Sequence, residues 1–364
     1  MIIPRRPVVA LIGCGHIGTF HSKAIRGVIR HGLVDAEYLA VADIDADRAG
    51  EFARFAEVAV VSADPMALIA DERVTAVYVC TPTAAHVDLV LAAAAAGKAI
   101  FCEKPLAPTL DGARAMFEAV ARADVVNQVG LVLRHAPIFA VLRELLHDPA
   151  HGRLMTVMFR DDQFFPITGH YNSTWRKDAA ITGGGALIEH SIHDLDILAW
   201  LCGPVERLSA TTRNYAGHAG VEDVALATLH FEGGATAQLA SVWHNVMTRS
   251  STRLVEVFME RAYFAIDDDY VGPIRAETEA GAHVIPAEEV NRRYLTQIGV
   301  TDPADEIALN RWSFEDLFFL RAVARGTPTT PDFAVALEAH RMVEAVYRSA
   351  AEGSRVIEMD EIPT

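Results

Sequence analysis

Val8-Val9-Ala10-Leu11-Ile12-Gly13-Cys14-Gly15-His16-Ile17-Gly18, close to the amino terminus, decides the fold. Five consecutive apolar residues, three of them β-branched, read as a strand buried on both faces. The glycines that follow have the spacing G-x-G-x-x-G and open a predicted helix over 16–30; this position between strand and helix gives the motif its weight. Gly13 permits the tight turn, Gly15 lets backbone amides approach a pyrophosphate, and Gly18 lets helix and strand pack closely. His16 and Ile17 complete the loop, at a helix N-terminus that favours negative charge.

A second strand, Tyr38–Ala42, ends at Asp43. A carboxylate there accepts hydrogen bonds from ribose hydroxyls and repels a 2'-phosphate, which favours NAD over NADP. Asp43 is equally placed to cap the next helix, as is Asp45. Arg48, one turn further on, is positioned to lie over an adenine or simply to face solvent.

Outward from this site, residues 7 to about 130 alternate short apolar runs with helical stretches, the pattern of βαβ units on a parallel sheet. The runs are Val8–Ile12, Tyr38–Ala42, Val58–Val61, Ala76–Cys80, Ala99–Phe101 and Val125–Val129, with helices expected at 16–30, 45–56, 64–71, 84–96 and 109–123. From about residue 153 the segments are longer and alternate: Leu154–Phe159, Val224–Phe231 and Thr236–Trp243, with a hairpin expected at Glu232-Gly233-Gly234. Two late helices are expected near 304–325 and 333–351, joined by a turn-rich stretch from Gly326 to Pro331. The fold class is therefore an α/β, Rossmann-type doubly wound N-terminal domain over 1–130. A C-terminal α+β domain with a large, mainly antiparallel open sheet follows over 131–364, its late helices placed to pack back on the first domain.

The chain has 364 residues, with 32 Lys and Arg against 48 Asp and Glu, for a formal net charge of -16. Basic residues are scattered, so a nucleic acid partner is not expected. Cys14, Cys80, Cys102 and Cys202 form no close pair and no metal-ligand spacing, as expected of reduced intracellular thiols. Arg5-Arg6 and the apolar run after Pro7 imitate a secretory signal, but the run ends after five residues at the glycine turn, so a cytoplasmic protein is expected. No apolar stretch approaches the roughly 20 residues of a membrane span. An open sheet with an apolar outer face points to a homodimer or homotetramer through the C-terminal sheet.

Chemistry enters at the carboxyl ends of the later strands, where ligands of doubly wound sheets bind. Thr81-Pro82-Thr83 follows the fourth strand, with His86 opening the next helix, and Glu103-Lys104-Pro105 follows the fifth. A lysine beside a nicotinamide is a candidate proton shuttle, since partial burial and the positive ring both lower its pKa. Downstream, Gly183-Gly184-Gly185 precedes a helix from Ala186 to about Leu201, stopped by Gly203-Pro204. Leu187, Ile188, Ile192, Leu195 and Ala199 form its buried side, while Glu189, His193, Asp196 and Trp200 make a separate stripe. A carboxylate one turn below an imidazole raises its basicity. His190 and His193 are three apart and do not make the H-E-x-x-H zinc pattern, so no metal is expected.

This ensemble of Gly13 to Gly18, Thr81-Pro82 with His86, Glu103-Lys104-Pro105, and Gly183-Gly184-Gly185 with Glu189 and His193 resembles the Gfo/Idh/MocA family (glucose-fructose oxidoreductase, inositol dehydrogenase and rhizopine catabolism). The likeness runs to about residue 203 and is one of architecture beyond it. It implies an NAD(P)-dependent enzyme interconverting a secondary alcohol and a ketone on a sugar, sugar acid or cyclitol. Lys104 matches the lysine that contacts substrate and nicotinamide, and Glu103 the acid beside it. Arg134, in Gly130-Leu131-Val132-Leu133-Arg134, looks like the arginine of a crossing segment that faces the active site, and Trp175-Arg176 like a pair that approaches the cofactor. Lys104 and His193 are expected to share proton transfer, with Glu189 beside them and Tyr171 and Asn172 near enough in sequence to hold substrate hydroxyls. Glu189 departs from inositol dehydrogenase, which has Asp four residues before the histidine, so a relay copied from that enzyme is not carried over. A nucleotide-sugar dehydrogenase or ketoreductase, redox-neutral use of NAD in glycoside cleavage, and a non-catalytic NAD-binding sugar sensor are the competing readings.

Overall fold

A computed structural model of the chain describes residues 3–167, 172–300 and 314–364. They form two compact units, 1–131 with 301–337, and 132–300 with 338–364. The boundary at 131/132 lies beside the split expected at 130, and of the described late residues 314–337 group with the first unit.

In the first unit β1 (Val8–Ile12), α1 (His16–Arg30), β2 (Glu37–Ala42), α2 (Ala46–Ala56), β3 (Val60–Ser62), α3 (Pro65–Ala70), β4 (Ala76–Val79), α4 (His86–Ala95), β5 (Ala99–Cys102), α5 (Leu110–Ala123) and β6 (Asn127–Val129) alternate as the periodicity requires. The six strands are parallel in the order β3-β2-β1-β4-β5-β6, which is the dinucleotide-binding order with its switch point between β1 and β4. β1, β4 and β5 are buried almost throughout, which is why their sequences are unbroken apolar runs. Two strands are shorter than their apolar runs. Glu57 takes a left-handed φ of 59° and the Val58 amide bonds back to Ala53, so Val58 still terminates α2. Asp124 likewise ends α5 at φ 49° and delays β6.

The second unit begins with α6 (Pro137–Leu146), β7 (Leu154–Phe164) and α7 (Ala179–Thr182), then α8 (Ile192–Cys202). β8 (Val205–Arg213), β9 (Val224–Phe231), β10 (Thr236–His244), β11 (Thr252–Met259), β12 (Ala262–Ile266), β13 (Ile274–Thr278) and β14 (Gly281–Ile285) follow, and then α9 (Ala287–Gln297). α10 (Phe314–Arg325) lies in the first unit, α11 (Phe333–Ala351) begins there and ends in the second, and β15 (Ile357–Glu358) closes the chain. The expected start of α10 near 304 lies outside the described residues.

Nine strands form one sheet in the order β14-β13-β12-β11-β7-β10-β9-β8-β15. Every neighbour is antiparallel except β7 with β10. The β9–β10 hairpin turns at Glu232–Gly234, where Gly234 supplies the positive φ. One face buries Val157, Phe159, Leu239, Val255 and Val257; the other exposes Met158, Leu226 and Phe258. Among the described residues no helix is long and apolar enough to cross a membrane, and the four cysteines are free thiols.

Candidate functional site

The glycine loop meets its spatial demands residue by residue. Gly13 has φ +102°, and a Cβ there would run into the Cys80 carbonyl; one on Gly18 would strike the carbonyl of Gly13. At Gly15, the residue before α1, no atom lies within 4 Å of where a Cβ would stand. Space is thus kept open at the amino end of a 15-residue helix, which fits a pyrophosphate.

Asp43 closes the loop from β2. Its Oδ2 accepts from the Cys14 amide at 2.9 Å and its Oδ1 from the Asp45 amide at 3.0 Å. The cap of α2 is Asp45, which accepts from the Arg48 amide, so Asp43 is not spent on capping. Arg48 grips the same carboxylate through Nε at 3.0 Å and Nη2 at 2.7 Å. Burial raises the Asp43 pKa, but these donors outweigh it and hold the group below the usual carboxylate range. Arg48 is thus held at the end of β2 as a partner of Asp43, its side chain half-exposed.

His86 is buried at the start of α4, its ring nitrogens 2.9 Å from the carbonyl oxygens of Thr81 and Pro105. It ties the Thr81-Pro82 turn after β4 to the Lys104-Pro105 turn after β5. Glu103 is turned inward: Oε1 lies 2.9 Å from His21 Nε2, and Oε2 accepts from the Lys104 amide at 3.1 Å. The solvated Glu-Lys pair that an isolated motif suggests is not what forms. His21 Nδ1 lies 2.9 Å from Asp316 Oδ1 on α10, with Glu315 beside it. Burial opposes charge on His21, yet Asp316 and Glu103 raise its pKa well above that of free histidine. Burial pushes the Glu315 pKa well up, against the pull of His21. His21, Glu103 and Glu315 place donor atoms within 4.8 Å of one another, but both ring nitrogens of His21 already face carboxylates, and ion pairing accounts for the cluster.

In the second unit the triple glycine is a place of close approach. Gly183 is left-handed at φ 81°, a Cβ on Gly184 would collide with the Tyr347 hydroxyl, and one on Gly185 with the backbone of Glu222. The Glu222 carboxylate accepts from the amides of Gly185 at 2.7 Å and Leu187 at 2.9 Å, and the Tyr347 hydroxyl donates to it at 3.1 Å. It thereby satisfies the first amides of the helix that follows.

That helix opens with a π turn over Leu187–Ser191 before α8 begins. The wider turn falls on Glu189 and His190, and such bulges concentrate at functional sites. Glu189, His193 and Asp196 are buried along with the apolar side, while Ala199 is half-exposed. Glu189 Oε2 accepts from Arg176 Nε at 3.0 Å, and the Arg176 guanidinium lies 4.8 Å from the centre of the Trp175 ring. The Trp-Arg pair thus holds the helix carboxylate. Arg134 makes a two-pronged bond to Asp196 at 2.7 and 2.8 Å, with its guanidinium over Trp200; burial raises Asp196 despite this partner. Tyr171 lies outside the described residues, and Asn172 takes a left-handed φ of 43°.

Two stretches match models of one family: residues 8–131 its "Oxidoreductase family, NAD-binding Rossmann fold" and residues 139–265 its "GFO/IDH/MocA C-terminal domain". The oxidoreductase YrbE of Bacillus subtilis is 30% identical over 74% of this chain and 76% of its own length. Inositol 2-dehydrogenase of Rhizobium meliloti is 29% identical over 95% and 97%, and levoglucosan dehydrogenase of Pseudarthrobacter phenanthrenivorans 26% over 96% and 97%. A solved levoglucosan dehydrogenase in complex with NADH and levoglucosan superposes with a TM-score of 0.85 over 99% of this chain and 100% of that one, at 22% identity, a likeness of fold.

Proposed function

The chain belongs to the Gfo/Idh/MocA oxidoreductase family, and we propose that its reaction interconverts a secondary alcohol and a ketone on a sugar, sugar acid or cyclitol, with Lys104 and His193 in proton transfer. It is an NAD-dependent dehydrogenase acting on CH–OH groups. Bound NAD supplies the hydride acceptor. Gly13, Gly15, His16, Ile17 and Gly18 hold the pyrophosphate, and Asp43 takes the ribose hydroxyls. Thr81, Pro82 and the turn fastened by His86 and Glu103 border the nicotinamide side, and Arg134, Trp175 and Arg176 are proposed as cofactor contacts on the family resemblance alone.

The observation that carries this reading is the fixing of Lys104. Its amide is bonded to a buried Glu103 that is itself locked by His21, so the lysine leaves the end of β5 from a rigid base. His193, four residues after the Glu189 that Arg176 holds, supplies an imidazole, and Glu189 orients the substrate with it. Tyr171 is proposed as a substrate contact on its sequence position.

The exposed apolar residues Met158, Leu226 and Phe258 on one face of the sheet support self-association as a homodimer or homotetramer, measurable by sedimentation. The catalytic proposal is tested by reduced-nicotinamide absorbance with NAD, and separately NADP, against a panel of sugars, sugar acids and inositols. Lys104→Ala removes turnover while sparing NAD affinity; unchanged turnover would remove Lys104 from the chemistry. Silence of the whole panel in a protein that binds NAD would favour a nucleotide sugar or a sensor instead.

A further inference from the structure

Behind the helix that carries His193, the second unit holds a closed set of buried charges. Asp161 of β7, Asp194 of α8 and Arg253 of β11 are all inside. Arg253 Nε donates to Asp194 at 2.7 Å, its Nη1 to Asp269 at 2.7 Å, and its Nη2 to Asp161 at 3.3 Å. Gln163 donates to Asp161 at 2.8 Å, and the Ser191 hydroxyl to Ser241 Oγ at 2.6 Å. His190 joins this set to the outside. Its Nε2 lies 2.9 Å from Asp161 Oδ2 and 2.9 Å from Arg253 Nη2, its side chain is 26% exposed, and its ring centre is 6.3 Å from that of His193.

A ring nitrogen between a carboxylate and a guanidinium has a hydrogen bond in either protonation state. Protonated, it donates to Asp161; bare, it accepts from Arg253. A histidine with one partner per nitrogen is fixed in a single tautomer, whereas this one can change state without orphaning a buried group. The carboxyls behind it are poised apart: burial pushes Asp194 up, against the pull of Arg253, while Asp161, also buried, is held far down by Arg253 and His190. Two facing carboxyls so separated keep one proton between them and leave Asp161 as the charged partner of the ring.

We propose that His190 is a proton-relay residue that acts through His193, exchanging the hydroxyl proton of the substrate with solvent while Asp161 and Arg253 hold its ring. The proposal rests on the reading of His193 given above. Oxidation of a secondary alcohol removes two electrons and one proton from carbon as hydride, which NAD takes, and one proton from oxygen. That second proton passes to the active-site base, then to the His190 ring, then to water. One proton is released per turnover, and reduction runs the same path backwards. At each stage Nε2 keeps a partner. Among the described residues, the titratable and charged groups that face His190 are Asp161, Arg253 and His193, with Asp194 and Asp269 on the far side of the guanidinium.

The test is His190→Gln, whose amide still donates to Asp161 but does not titrate. With an alcohol that the wild type oxidises, kcat falls by about tenfold or more, the KM for NAD stays within about twofold, the acidic limb of the kcat–pH profile is lost, and added imidazole restores part of the rate. A His190→Gln enzyme with wild-type kcat and pH profile would overturn the relay. The NMR titration of the His190 ring is read as well, in resting wild type and in Asp161→Asn. Loss of the carboxylate lowers the midpoint by about one pH unit, and an unmoved midpoint also overturns the proposal. A wild type silent on every alcohol counts against the dehydrogenase reading itself, and the NMR arm then decides on His190.

Discussion

His21 Nε2 lies 2.9 Å from Glu103 Oε1, with both side chains buried. On its other side His21 Nδ1 lies 2.9 Å from Asp316 Oδ1. One imidazole on α1 therefore joins the end of β5 to α10, and because Glu103 also bonds the Lys104 amide, the chain of contacts ends at the lysine. Gly130 completes the enclosure, since a Cβ there would press into the Glu103 carboxylate. This relationship gives residues 314–337 a reason to group with the first unit: without Asp316, His21 would be left with one carboxylate, and the glutamate would be less firmly fixed.

His21→Gln should cost about 3 kcal/mol of stability, the scale of breaking a buried charge pair. The pKa of His21 is raised in the fold, so its contribution is fully present below pH about 6.5 and is lost as pH rises through the folded value. Chemical denaturation at pH 6 and pH 9 should show the variant's deficit shrinking at the higher pH. A deficit that is equal at both would mean that the imidazole is neutral in the fold.

Asp43→Ser should raise the KM for NAD about tenfold, the worth of one hydrogen bond to a charged group at about 1.4 kcal/mol. It also releases Arg48, which Asp43 now grips at 2.7 Å, to meet a 2'-phosphate. The ratio of kcat/KM for NADP over NAD should therefore rise by more than the NAD loss alone accounts for. Steady-state kinetics with both cofactors checks it, and an unchanged ratio would remove Asp43 from cofactor choice.

The first unit was legible because each of its signals is local. Gly13, Gly15 and Gly18 lie within one turn, Asp43 ends its own strand, and each apolar run carries its own period. What was hidden depends on distant pairs. Nothing in the neighbourhood of His21 announces Asp316, 295 positions away, and nothing near Gly185 announces Glu222. In the sequence the glycines at 183–185 mark only the entry to a helix, whereas the structure uses Gly184 and Gly185 for close approach to Tyr347 and Glu222. The helical stripe of Glu189, His193 and Asp196 was visible, but a π turn is not written in 3.6-residue spacing. From sequence Arg48 reads as covering an adenine or facing solvent; its bond to Asp43 depends on the turn after β2, which no local period shows.

Gly185→Ala should destabilise the second unit by about 3 kcal/mol, the upper range of overpacking, because the added methyl meets the Glu222 backbone and no flexible side chain stands there to give way. Gly203→Ala is the control. Its glycine has a positive φ of 92°, which Gly185 does not, and no neighbour lies within 4 Å of the added carbon, so only backbone strain is paid. Thermal unfolding of both should separate collision from conformation. A loss at Gly185 no larger than the strain loss at Gly203 would remove the collision with Glu222 as the reason for that glycine.

Asp194 supplies a pH dependence of known sign. Burial raises its pKa from 3.8 to about 8, against the pull of Arg253. Between those values the folded protein holds a proton that the unfolded chain has released, so stability falls as pH rises across the window and levels off above about 8. Asp194→Asn keeps the shape and fixes the neutral state, and its amide oxygen still accepts from Arg253. The variant should therefore show a flatter decline in unfolding free energy between pH 5 and pH 8 (about 1.4 kcal/mol less per pH unit at most). Urea titrations at successive pH values read this directly. Parallel curves for wild type and variant would place Asp194 as an ionised partner of Arg253, with the proton held elsewhere in the cluster.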